Sequence, residues 1–139
     1  MAFENPKPER LRALLKEVRR VAVVGCSPQP YRMSNQITSA MQRRGFHIVP
    51  VHPAGGTILG MTAFADLSHV PNDYGIDMVN VFRKPDATKC LVREAKRLNA
   101  RAIWLQHGIE SPECAEEAAQ LGLVCVMNCC WAVTYTLLM

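Results

Sequence analysis

The residues able to do chemistry in this chain fall just after its short apolar runs. The first such place is VAVVGCSPQPYRMSN, residues 21–35, where Gly25 can turn the backbone tightly and let an anion approach it. Ser27 adds a hydroxyl, and the amides of a helix starting near Ser34 point at the same spot. The chemistry on offer is phosphate binding. The dinucleotide pattern G-x-G-x-x-G is absent, because Ser27 and Pro30 occupy the second and third glycine positions, and no glycine–lysine pair makes a Walker loop. Alone, the stretch satisfies both a phosphate cradle and a plain structural corner.

The later run ends narrow the choice. A nicotinamide dinucleotide site places an Asp or Glu about 20 residues past the glycines to hold the ribose, but that region reads VHPAGG. NAD is disfavoured, and NADP stays open only if Arg43 or Arg44 meets its 2′-phosphate. In VFRKPD, Arg83 can fork onto a phosphate and Phe82 can face an adenine or a thin alkyl chain; the alternative is a capping arginine and a core phenylalanine. WLQHGIESPE offers Gln106, His107 and Gly108 ahead of a helix. His107 has no carboxylate or serine partner nearby in sequence and receives no catalytic role.

Six cysteines stand at 26, 90, 114, 125, 129 and 130, mostly inside apolar or helical runs. That placement suits a reducing compartment, and without paired C-x-x-C motifs no structural zinc is expected. Cys26, near a helix N-terminus and a basic surface, is either an acidified reactive thiol or inert packing. The net charge is a modest +4, yet no acid occurs between Glu17 and Asp66, a stretch holding Arg19, Arg20, Arg32, Arg43 and Arg44. Such a segment favours a small anionic ligand, the alternative being scattered solvated arginines. Neither nucleic acid nor a membrane is an expected partner. The N-terminus has no apolar signal-like core and no run reaches 18 residues, so a soluble cytoplasmic protein is expected.

The elements that must position these residues follow from periodicity. With 139 residues, the chain is expected to form one domain, 1–139, with a substantial core. PERLRALLKEVRR sets Leu11, Leu14, Leu15 and Val18 on one helical face behind Pro8. VAVVG reads as a strand buried on both faces, and SNQITSAMQRRG as a helix capped by Ser34 and stopped by Gly45. FHIVPVHP is a strand whose Pro50 requires an edge or a bulge. An irregular connection with one helical turn near Asp66 to His69 leads to the strand IDMVNVF. KPDATKCLVREAKRLNA is a helix with Pro85 near its start and charges matching its dipole. RAIWLQHG is a strand, SPECAEEAAQLG a helix between Ser111 and Gly122, LVCVMN the last strand, and CCWAVTYTLLM a final packing helix. Strands alternating with helices imply parallel pairing and right-handed crossovers, with the strand-end loops gathered along one edge where ligands bind.

Taken in order, VAVVGCSPQPYRMS, GFHIVPVHP, ILG, DMVNVFRKP, AIWLQHGI and GLVCVMNCC resemble the small stand-alone coenzyme A-binding domain proteins. These are similar to the N-terminal domain of the succinyl-coenzyme A synthetase α subunit. The resemblance spans roughly residues 17 to 130. It implies a Rossmann-like three-layer α/β/α fold with a mostly parallel five-stranded sheet, coenzyme A or an acyl derivative along its carboxyl edge, and no catalytic residue. By position it implies that Gly25, Cys26, Ser27 and Pro28 line the phosphate turn, backed by Arg32 and Ser34. Val51, His52 and Pro53 would lie under the adenosine end, Phe82 and Arg83 beside the diphosphate or pantetheine, and Gln106 and Gly108 near the pantetheine arm.

The chain departs from the family at four places. MNCC replaces the usual MDRC, so an acid and an arginine become Asn128 and Cys129; Ala54 stands where a basic residue often follows; Met33 replaces a common proline; and His107 replaces an aliphatic residue. One phosphate contact is therefore lost or moved to Arg43, Arg44 or His52. The synthetase's phosphohistidine segment is absent, so ligase chemistry is not implied. The expected function is a non-catalytic carrier, sensor or partner subunit, with a homodimer or an unidentified protein partner. The alternatives are a small NADP-dependent oxidoreductase and a protein-interaction domain whose ligand site has decayed.

Overall fold

The computed structural model describes residues 3–84 and 88–139. Five strands form a wholly parallel sheet: β1 (Arg20–Val24), β2 (His47–Val51), β5 (Met78–Val81), β6 (Ala102–Leu105) and β7 (Val124–Val126), in the order β2-β1-β5-β6-β7. The helices are α1 (Pro8–Glu17), α2 (Met33–Arg43), α3 (Thr88–Arg97), α4 (Pro112–Leu121) and α5 (Trp131–Leu138).

Strand alternation assigns the layers. Val21, Val23, Ile48, Met78, Ala102 and Trp104 pack against α1, α2 and α5, while Ala22, Val24, Val49, Val79, Ile103 and Leu105 pack against α3 and α4. This is the expected α/β/α Rossmann-like fold. Trp131 anchors α5, meeting Phe46 edge-on at 5.2 Å and stacking with Tyr135 at 4.9 Å.

Pro50 lies on the edge strand β2, where its missing N–H costs no ladder bond, and its carbonyl accepts Phe64 N–H at 3.0 Å. Ser111 caps α4 by accepting Cys114 N–H at 3.1 Å, and Gly122 ends it at φ 78°. A 3₁₀ turn over Leu67–His69, capped by Asp66, stands where one helical turn is expected. The same connection also holds an unforeseen hairpin, β3 (Thr57–Ile58) and β4 (Met61–Thr62), turned by Leu59 and Gly60, both at positive φ. The reading of Pro85 and Asp86 at the start of α3 falls outside the described residues.

One expected role is different in the structure. Ser34 does not cap α2, which begins one residue earlier behind Arg32. Ser34 Oγ instead accepts Ser27 N–H at 3.0 Å, and Asn35 Nδ2 donates to the Ser27 carbonyl at 2.9 Å. The helix thereby holds both sides of the loop residue Ser27. No helix among the described residues is long and apolar enough to cross a membrane.

Candidate functional site

Connections leave β1 toward β2 on one side and return to β5 on the other, so a crevice opens between the carboxyl ends of β1 and β5. Gly25 sits at its floor with φ 85°, its N–H donating to Val51 O at 2.9 Å. A Cβ there would lie 3.0 Å from the Phe82 carbonyl oxygen and 3.2 Å from Arg83 Cδ. The loops after β1 and β5 therefore approach each other as closely as a glycine permits.

Three cavities run along this edge. The central one, about 510 Å³, is lined by Gly25, Ser27, Arg32, Ser34, His52 and Arg83, with Met33, Pro53 and Phe82 at its borders. It holds two exposed guanidinium groups and no carboxylate among its described lining. Ala54 N–H donates to His52 Nδ1 at 3.1 Å, which puts the ring proton of a neutral His52 on Nε2. Ser27 Oγ accepts Gln29 N–H at 3.0 Å and keeps its own hydroxyl proton for another partner. This arrangement suits a phosphate group.

Pro53 and Arg83 also border the second cavity, about 530 Å³, which adds Val24, Val51, Asp66 and Glu94. Asp66 accepts Ser68 N–H at 3.0 Å; that bond chiefly, aided by the Ser68 side chain and the charges of His69 and Arg83, holds its carboxyl below the usual range. Met33 and Phe82 border the third cavity, about 480 Å³, whose remaining lining includes Ile37, Ile109, Cys130 and Val133.

Most sequence-expected residues gather here: Gly25, Ser27, Arg32, Ser34, Val51, His52, Pro53, Phe82 and Arg83 line the first two cavities. Gln106 borders the third, but its amide is committed to the interior. Its Nε2 donates to Asn80 Oδ1, and its Oε1 accepts Trp131 N–H at 3.1 Å. Gly108 N–H donates to Asn128 Oδ1 at 2.7 Å. Asn128, at φ 52°, thus fastens the loop after β6, a use of the MNCC departure that spacing did not suggest. Pro28 is exposed in the loop after β1.

Cys26 follows Gly25 in the turn but lines none of the three cavities. Its side chain is buried in the core and its Sγ donates to Thr38 Oγ1 at 3.7 Å; burial pushes the thiol above its usual range. Inert packing, not acidification, is the geometry found. Iodoacetamide applied to the folded protein at pH 8 should spare Cys26 and modify the half-buried Cys130; mass mapping showing Cys26 alkylated first would refute this.

The arginine-rich segment divides by position. Arg32 alone lies at the carboxyl edge. Arg19 and Arg20 enter β1, and Arg43 and Arg44 close α2, about 16 Å from its start. Arg43 donates to Ser39 Oγ at 2.8 Å and Arg44 lies over the Tyr135 ring at 5.1 Å. Neither reaches the crevice, which removes the 2′-phosphate contact on which an NADP reading depended; of the three residues named for the contact missing at Ala54, only His52 lines the central cavity. The cavity formed by Ile37, Ile109, Cys130 and Val133 was not foreseen, because α5 brings residues from the far end of the chain onto the edge.

Comparison with known proteins places these features in context. The family model described as CoA binding domain matches residues 19–136. The chain is 32% identical over 133 residues to the uncharacterized protein YneT of Bacillus subtilis (strain 168), covering 96% of this chain and 97% of that one. It is also similar to the solved structure of cell-free ID.343 from Thermus thermophilus, with 28% identity, a TM-score of 0.89, and coverage of 96% and 100%. A hypothetical protein from Pyrococcus horikoshii OT3 gives 27% identity, a TM-score of 0.89, and coverage of 99% of each chain.

Proposed function

Because the chain belongs to the CoA binding domain family, we propose that it binds coenzyme A along the carboxyl edge of its sheet, non-catalytically, as a carrier, sensor or partner subunit. The observation that carries this reading is the central cavity. Gly25 lets the backbone come close there, and Arg32, His52 and Arg83 surround a space without a described carboxylate. The diphosphate occupies the cradle of Gly25, Cys26, Ser27 and Pro28, with Arg32, Ser34 and Arg83 around it. The adenosine end lies over Val51, His52 and Pro53, and the pantetheine arm leaves past Phe82 toward Gln106 and Gly108.

Isothermal titration with coenzyme A, and with NADPH as the comparator, tests the proposal. Heat with coenzyme A and none with NADPH is expected; a folded protein silent toward coenzyme A would overturn it. Arg83→Ala should weaken binding by about 1–3 kcal/mol, roughly fivefold to 150-fold, through loss of a charge-assisted contact. Under a decayed interaction domain the same change does nothing. A homodimer belongs to the same proposal, supported by the exposed Leu137 on α5; native mass spectrometry of the purified protein reads subunit number and retained ligand together.

A further inference from the structure

The third cavity continues the phosphate cradle along the sheet edge, sharing Met33 and Phe82 with it. It lies on the side away from Pro53 and Asp66, where the adenosine end is placed. Coenzyme A is linear, so a ligand with its diphosphate in the cradle directs its sulfur end this way.

The lining is apolar in an unusual place. Met33 and Ile37 stand one turn apart on α2, Cys130 and Val133 open α5, and Phe82 and Ile109 follow β5 and β6. Met33 is 65% exposed and Val133 57% exposed, two large apolar side chains left in water on the rim of one cavity. Exposed apolar groups that converge on a concavity mark a surface covered by something apolar. The volume of about 480 Å³ fits a small-molecule site.

The polar groups decide what covers it. The Gln106 amide is bonded at both ends, to Asn80 and to the Trp131 backbone, and His107 is exposed. The pantetheine arm runs along the open rim past Phe82 and Gln106, where its two amides stay in water, and the apolar floor is left for what its sulfur carries. A hydrocarbon chain loses nothing. His107 lines the space from its exposed rim, and no lysine, arginine or carboxylate does, so a terminal charge carried onto the floor of Ile37 and Ile109 would lose water without a fixed counterion beside it.

We infer that this cavity is an acyl pocket, and that the chain prefers neutral, apolar acyl-coenzyme A thioesters to free coenzyme A and to thioesters ending in a carboxylate. The inference rests on the coenzyme A reading above and names the substrate class of that site. Binding is non-covalent.

The test is a titration series on the intact protein with free, acetyl, butyryl, hexanoyl and succinyl coenzyme A. Affinity should rise roughly threefold to fourfold per methylene until the pocket is full. Succinyl coenzyme A should bind at least about tenfold more weakly than butyryl coenzyme A, which has the same number of acyl carbons. Val133→Asp, at an exposed position, should flatten the chain-length dependence. Coenzyme A binding with a flat or falling series, or succinyl matching butyryl, overturns the acyl pocket alone. A folded protein that binds no member of the series, free coenzyme A included, overturns the coenzyme A reading itself.

Discussion

Gly25→Ala should bind coenzyme A at least tenfold more weakly, a loss of about 1.4 kcal/mol, and should unfold at a lower temperature than the parent protein. Two independent costs act at this position. At φ 85° a side chain strains the backbone by about 1–2 kcal/mol. The new methyl group would also sit 3.0 Å from the carbonyl oxygen of Phe82, a backbone atom held in place by Phe82 N–H donating to Val24 O at 2.9 Å. Relief requires the β1 and β5 loops to part, and their separation moves Ser27 away from Arg83 in the cradle they share. Titration with coenzyme A and thermal melting read the two effects separately. Parent-like affinity in the alanine variant would sink the cradle as the ligand site.

Gln106→Leu should give the largest loss of stability among single changes at the edge. Gln106 is 3% exposed and joins Asn80, in the middle of the sheet at 0%, to the first backbone N–H of α5. Leucine fills the space but leaves Asn80 Oδ1 and Trp131 N–H buried without partners, each costing about 1–3 kcal/mol. The melting temperature should fall by about 10 °C. Adding Asn80→Leu should recover part of the loss, because one of the two orphaned groups is then removed. If the double variant melts lower than the single one, the network is not the source of the effect.

The two substitutions also show which parts of the molecule were legible before the fold was known. The strand β1 and its glycine were plain because an apolar β-branched run closed by glycine has few other solutions. The same holds for α4, whose Ser111, Pro112 and Gly122 mark both ends. Gln106 was legible as a strand-end residue, but not as the bridge it forms, since its partners lie 26 and 25 positions away. Ser34 misled in an instructive way. A serine opening an amphipathic run is the ordinary helix cap, yet its hydroxyl serves the loop seven residues earlier. The arginines show the limit of composition. Five arginines in one acid-free stretch look like one basic surface, but β1 and α2 run in opposite directions across the layer and send four of them to the far edge. The hairpin β3–β4 was hidden because strands of two residues carry no period.

The double hold on Ser27, by Ser34 from one side and Asn35 from the other, bears on how a ligand is met. A loop of serine, proline and glutamine left to itself samples many shapes, and any anion it captured would have to freeze it first. Here that loss of freedom is incurred once, when α2 docks, and is already part of the folded state before any ligand arrives. Under the proposed reading the turn is then a template and not a clasp: an incoming ligand gives up its own mobility without also having to order the loop that receives it.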